Sequence, residues 1–382
     1  MLSKNRQRKR LTTGKHRSLF ISIALGAIAF SSSIFAPIVI AESATKAETK
    51  AIALEAVATS FADSVVIPTY QQLVEKSSEL EQAIETFTSN PTDETLQTAR
   101  TTWLETRYPW EQSEAFAFGP ADSLGYDGDL DDWPVNQTDV AAVLNSGDSL
   151  TPEYVESLQT TQKGFHTIEL LLFGTDNDKV AADFTARELE LLQVLTTAFH
   201  QSATELATSW SEGVQGYPPY REVLATAGDS SNPAYPTADA AVEEIVQGII
   251  GCLDEVANTK IGEPLVTGAS ETFESRFSHS SLNDFQNNLR SVENAYLGRI
   301  SEDSNKAQTS LSDLVAARQP QLDEQVRQEL AAAISAVEAI PEPVETKLND
   351  AKTTAQMKAA QAEILTLFST MQERVLPLVS QQ

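Results

Sequence analysis

Residues 185–210 read TARELELLQVLTTAFHQSATELATSW, and this stretch decides the fold class. Read for periodicity it is a long helix ending at Trp210. The spacing Thr185-x-x-Glu188 is that of a capping box, in which each side chain satisfies a backbone N–H at the helix start. Beyond it, Gly213, Gly216, Pro218 and Pro219 break the pattern, and a second loop-rich patch follows at 228–236. Helical periodicity then returns at 237–258, 281–297, 303–318, 321–339 and 344–372, with Pro320, Pro341 and Pro343 as punctuation. Upstream, residues 48–85 carry apolar positions at spacings of three and four, with a kink or break expected at Pro68. Asn90-Pro91-Thr92-Asp93-Glu94 reads as a turn and helix start, and the next helix runs through Leu96, Ala99 and Trp103 to Tyr108, stopping before Pro109. No period-two series suggests strands. The expected fold is all-α: two tandem helical bundles, residues 42–230 and 231–382, their helices buried along apolar stripes.

The first 41 residues form a separate unit. Lys4, Arg6, Arg8, Lys9, Arg10, Lys15 and Arg17 precede an apolar run that ends in Val39-Ile40-Ala41, the arrangement of a secretory signal peptide or of an uncleaved membrane anchor. Export is the expectation, to the periplasm or to the periplasmic face of the cytoplasmic (inner) membrane. Without the seven basic residues of this leader, 20 Lys and Arg face 54 Asp and Glu, a net charge of −34. Such a body is a poor partner for nucleic acid and attracts cations, although acidity also simply keeps an exported protein soluble. Cys252 is the single cysteine. An intramolecular disulfide and a thiolate metal cluster are thereby excluded, so stability must come from packing.

Residues 164–174, GFHTIELLLFG, carry the main functional lead. His166 stands three residues before Glu169 in a largely apolar helical run, so imidazole and carboxylate share one helix face and can converge on a small ligand or metal ion. A core histidine satisfied by a backbone carbonyl, or by Glu169 itself, is the competing reading. Burying an ionisable pair in such a run is costly unless compensated, which favours a use for it. Two long irregular segments are further candidates. The first, 116–140, contains Gly119, Pro120, Gly125, Gly128, Pro134 and six aspartates. Its Asp127-Gly128-Asp129-Leu130-Asp131 run opens like a calcium loop, but Asp132 stands where that loop needs Gly and Thr138 where it needs Glu. The second, 261–280, contains Glu271, Glu274, Arg276 and His279, whose polar groups could cap, gate or be solvated. His200 has a solvated or capping role by default.

Four separated segments together resemble the imelysin family, and within it an iron-regulated branch found in cyanobacteria. They are Arg107-Tyr108-Pro109-Trp110-Glu111-Gln112-Ser113-Glu114-Ala115-Phe116 with Phe118-Gly119-Pro120; Asp132-Trp133-Pro134-Val135; the Gly-x-His-x-x-Glu signature at Gly164, His166 and Glu169; and Glu274-Ser275-Arg276-Phe277-Ser278 followed by Asp284-Phe285 and Tyr296-Leu297-Gly298. The resemblance spans about residues 50–375. It implies two helical bundles related by duplication, with the signature pocket near their interface. It also implies a connection to iron and carries a peptidase label.

The signature maps a metal site onto His166 and Glu169, a donor set suited to iron or another divalent metal such as zinc. The need for acidic partners adds Glu114, with Glu111 as its nearest substitute. Arg107 is expected to hold a carboxylate in place, to bind an anionic ligand, or simply to pair with Glu111 four residues on. Ser113, Arg276 and Ser278, from the matching segments, complete the residues expected around the ligand. No residue is assigned a catalytic role: the chain has neither a His-Glu-x-x-His run nor a Gly-x-Ser-x-Gly elbow. The leading expectation is an exported, iron-regulated protein that binds a metal ion or a metal-bearing small ligand and acts in iron acquisition with a membrane iron-uptake component. A metallopeptidase using the same pocket is the second reading, and a metal-free peptide- or glycan-binding helical module the third.

Overall fold

In the computed structural model, which describes residues 54–300 and 309–380, residues 185–210 form the helix their ends dictate. We number the principal helices α1 (Ile67–Ser89), α2 (Asp93–Glu111), α3 (Tyr126–Asp131), α4 (Gly164–Phe173), α5 (Ala186–Ser211), α6 (Ala238–Asp254), α7 (Ser281–Leu297), α8 (Pro320–Glu338) and α9 (Ala351–Thr370). The capping box at α5 is complete: Glu188 N–H donates to Thr185 Oγ1 at 3.2 Å, and Thr185 N–H donates to Glu188 Oε2 at 2.8 Å. No strand occurs among the described residues, and none of their helices is long and apolar enough to cross a membrane. The expected leader lies outside the described residues.

Periodicity sets the packing. α1 buries Tyr70, Leu73, Leu80, Ile84 and Phe87, and α5 buries Leu191, Leu195, Phe199, Ala203, Leu206 and Trp210. These two stripes face each other, and α2 lies against α1 on another side. In the second half α8 packs along α9, while α7 bridges from α8 to α2. The loop region at 228–236 separates the halves in sequence, yet all described residues belong to one compact unit. A short 3-10 turn, Glu114–Phe116, fits against α6 and α7. The fit is close: a Cβ on Gly248 would lie 2.2 Å from Ala115 O.

The departures from the sequence reading have local causes. The interruption expected at Pro68 takes the form of a wider π turn at Ala62–Val66 just ahead of it, after which the α-helix runs on from Ile67. Pro109 sits inside α2, which runs two residues further to Glu111. The segment 116–140 is mostly short helices, Pro120–Ser123, Tyr126–Asp131 and Gln137–Asn145. The stretch 344–372 divides into Val344–Lys347 and α9, and of 303–318 only Leu311–Arg318 is a described helix.

Two consequences are measurable. Gly164 opens α4 at φ +77°, and a Cβ there would stand 2.5 Å from Leu130 O. Gly164→Ala is expected to lower the unfolding free energy by about 2–4 kcal/mol through left-handed strain and overpacking; urea denaturation shifting by under about 0.5 kcal/mol would contradict so tight an approach. Burial pushes the Glu345 carboxyl up to about 7, against the pull of its hydrogen bond from Ser281 N–H at 2.9 Å. The folded value lies above the unfolded one, so this contribution is full at low pH and is lost as pH rises through about 7. The stability of the parent minus that of Glu345→Gln should therefore fall between pH 5 and pH 8, by at most about 3 kcal/mol. A difference flat across that range would refute the assignment.

Candidate functional site

The last turn of α2 places Arg107, Trp110 and Glu111 on one rod, and Arg107 points into the protein with 1 % of its side chain exposed. Its guanidinium lies over the rings of Phe165 and Trp103, 4.9 and 5.9 Å from their centroids. Four carboxylates from four places in the chain gather around it. Asp131, at the end of α3, accepts a hydrogen bond from Nη1; Glu274 accepts from Nη2 at 3.2 Å; Asp284, in the first turn of α7, accepts from Nε at 3.4 Å; Glu111 forms an ion pair with Nη2. Trp110 Nε1–H holds the second oxygen of Asp131 at 2.6 Å. Burial works against the charge on Arg107, but Asp131, Asp284, Glu111 and Glu274 hold its pKa well above the usual value.

His166 is fully buried on α4, and its two ring edges face different groups. Nδ1 meets Glu169 Oε2 at 2.9 Å. Nε2 faces Asp131 Oδ1 at 3.2 Å and Glu274 Oε1 at 3.6 Å, and has no well-aligned hydrogen-bond partner. Glu169 is itself fixed: its Oε1 accepts from Phe277 N–H at 3.0 Å, Ser278 N–H at 2.8 Å and Ser278 Oγ–H at 2.8 Å. Burial opposes protonation of His166, yet the nearby carboxylates of Asp131, Glu169 and Glu274 lift its pKa well above 6.5. A cation seated at Nε2 would take the place of that proton.

Lys260 completes the cluster. It ends a π turn, Glu255–Lys260, and its ammonium lies 3.2 Å from Glu111 Oε2 and 3.0 Å from Glu274 Oε2. Asn288 Nδ2–H donates to the same Glu111 oxygen at 2.6 Å. Burial drives the Glu111 carboxyl up to about 8 against the opposing pull of Arg107 and Lys260. Burial likewise raises Asp284. Glu274 goes the other way: burial would raise it, but Lys260, His166 and Arg107 hold it well below the usual range. Five carboxylates, Glu111, Asp131, Glu169, Glu274 and Asp284, thus share two permanent cations and one imidazole. Such an excess of buried negative charge calls for protons or for a further cation.

The donor set fits a metal ion. One ligand atom each from Asp131, His166 and Glu274 lie within 4.8 Å of one another. Ligands at about 2.1 Å from a divalent ion stand roughly 3 to 3.5 Å apart, close to the 3.2 and 3.6 Å separations here. Imidazole nitrogen with carboxylate oxygen suits iron or zinc.

Of the residues expected from sequence, His166 takes the central position. Glu169 touches the opposite ring edge from Asp131 and Glu274, orienting the imidazole. Glu111 lies in the cluster but engages Arg107, Lys260 and Asn288. Glu114 sits on the 3-10 turn, where burial, against the pull of Lys260, raises its carboxyl well above the usual range. Ser113 donates to Trp110 O at 2.6 Å, closing the end of α2. Ser278 braces Glu169, whereas Arg276 lies over the Phe277 ring and donates to Glu271 O. Asp131, Glu274, Asp284, Asn288 and Lys260 were not selected by sequence reasoning. Glu274 and Asp284 stand in segments that matched the family, and Asp131 in the aspartate-rich run; nothing local distinguishes Lys260.

Comparison with known proteins identifies the family. The imelysin (peptidase M75) family model matches residues 66–371. Iron-regulated protein A of Synechococcus elongatus is 38 % identical over 332 residues, covering 87 % of this chain and 88 % of that protein. The crystal structure of an iron-regulated protein A precursor from Parabacteroides distasonis superposes with a TM-score of 0.75 at 27 % identity, over 85 % of this chain and 95 % of the other. An imelysin-like protein from Psychrobacter arcticum shares the fold, with a TM-score of 0.67 at 16 % identity over 87 % and 96 % of the two chains. The helical architecture, the Gly-x-His-x-x-Glu helix and these likenesses converge: the chain belongs to the imelysin family.

Proposed function

We propose that this chain is an exported, iron-regulated imelysin-like protein that binds one divalent metal ion, iron or zinc, between Asp131, His166 and Glu274, and takes part in iron acquisition in the periplasm or at the periplasmic face of the inner membrane. The observation that carries the reading is His166 Nε2: buried, without a well-aligned hydrogen-bond partner, and facing two carboxylates brought from α3 and from the loop before α7. An imidazole edge buried between two anions holds either a proton or a metal cation, and a divalent ion can take the proton's place. Arg107 and Trp110 would hold Asp131, and Glu169 would hold the ring. The name of the Synechococcus relative, iron-regulated, supplies the direction toward iron.

A metallopeptidase would in addition need a carboxylate free to take a proton from water. Glu169 is the acid of the signature, and it already accepts from three donors on one oxygen and faces His166 with the other. Binding therefore ranks ahead of hydrolysis.

Titration calorimetry of the metal-stripped protein with ferrous iron and with zinc should show about one equivalent bound. His166→Ala and Asp131→Asn should each weaken it at least 100-fold, and Glu169→Gln, which disturbs only ring orientation, by about 10-fold. No uptake by the parent, with all variants folded as judged by circular dichroism, would sink the metal reading.

A further inference from the structure

Glu274 uses its two oxygens for two different neighbourhoods. Oε1 faces His166 Nε2 and Arg107; Oε2 faces the Lys260 ammonium at 3.0 Å. A carboxylate shared in this way has the connectivity of a bridging ligand between two cations, as in helical carboxylate proteins that hold metal pairs. The proposed metal would occupy one side of that bridge. On the other side stands a side chain, and its surroundings are those of a cation site: Glu111 Oε2 at 3.2 Å in contact, with the charges of Glu114 and Glu255 also bearing on it. The group is buried, with 4 % of its side chain exposed, and next to it Asn288 Oδ1 is buried without a hydrogen-bond partner while its Nδ2–H serves Glu111.

From this geometry we infer that Lys260 is a built-in counter-cation, occupying the second cation position of a Glu274-bridged site and so limiting the site to a single divalent ion. The inference rests on the metal reading for the first position, but it makes a claim of its own about number and selectivity. A primary ammonium carries one fixed charge and three donors, and it cannot be removed by dilution or by a chelator. The Glu111 side of the cluster is therefore neutralised whether or not metal is available. Only the Asp131–His166–Glu274 side would respond to metal concentration. Removing the ammonium leaves Glu111 and Glu274 facing each other across a desolvated gap, which a divalent ion would fill.

The test compares the parent with Lys260→Ala and with Lys260→Arg, each stripped of metal and titrated with zinc and with manganese while thermal unfolding is followed. The parent should bind one equivalent, and so should Lys260→Arg, which keeps the charge. Lys260→Ala should melt lower than the parent without metal, bind a second equivalent, and regain most of the lost melting temperature when saturated. A parent that binds two equivalents overturns the inference. So does a folded Lys260→Ala protein that binds no more metal than the parent, or whose lost stability no divalent ion restores. If Lys260→Ala fails to fold, the parent's stoichiometry and that of Lys260→Gln decide. Failure of the metal reading is separately visible: a parent that binds none while Lys260→Ala binds one would remove the first position and leave the role of Lys260 standing. Binding by neither would remove both.

Discussion

A single guanidinium organises the centre of this molecule. Arg107 is buried and cannot shed its charge, so the chain must deliver carboxylates to it. It does so from α2, from α3, from the loop before α7 and from α7 itself. Taking Arg107 itself away would leave these carboxylates without their shared cation in a desolvated place, at a cost of several kcal/mol. The halves on either side of residue 230 are thus joined electrostatically as well as by packing. Asp131 and Glu274, two of the carboxylates on Arg107, are also the two that face His166 Nε2.

The helix skeleton was legible in sequence wherever local chemistry decides structure. The Thr185–Glu188 box sets the start of α5, and α7 spans the residues that its periodicity marked, 281–297. At Pro68 a wider turn interrupts the regular helix just ahead of the proline, whereas Pro109, near the end of α2, does not stop the helix. The second case matters, since the residues from Pro109 to Glu111 carry Trp110 and Glu111 into the cluster. The site itself was legible only in part. His166 announced itself as an ionisable group in an apolar run. Asp131 lay in a run that reads as irregular, because its short helix is fixed by packing against α4 and α5 and not by its own residues. Lys260 had no signature at all, since a lysine acquires this role only from the carboxylates that tertiary structure puts around it.

The Gly-x-His-x-x-Glu pattern also has a physical meaning different from the one its spacing first suggests. An i, i+3 pair on a helix puts the carboxylate beside Nδ1, which leaves Nε2 to look outward from the helix toward other segments. The glutamate fixes which ring edge is offered and is fixed in turn by two backbone amides and a serine. The glycine answers to the approach of Leu130, one residue before Asp131. Read this way, the signature specifies the pose of an imidazole, and the groups opposite Nε2 come from elsewhere in the chain.

The contact of Gly248 with the Ala115 carbonyl sets a spacing near this interior. Main chain lies against main chain there, and a Cβ at position 248 would collide with the Ala115 carbonyl. Glycine at 248 therefore sets how closely the Glu114–Phe116 turn approaches α6. Exposure within the cluster is graded: Glu111 and Asp284 are 0 and 2 % exposed, Asp131 7 %, and Glu274 12 %. Glu274, in the segment that leads to His279 at φ +60°, is thus the most solvent-accessible of these four carboxylates.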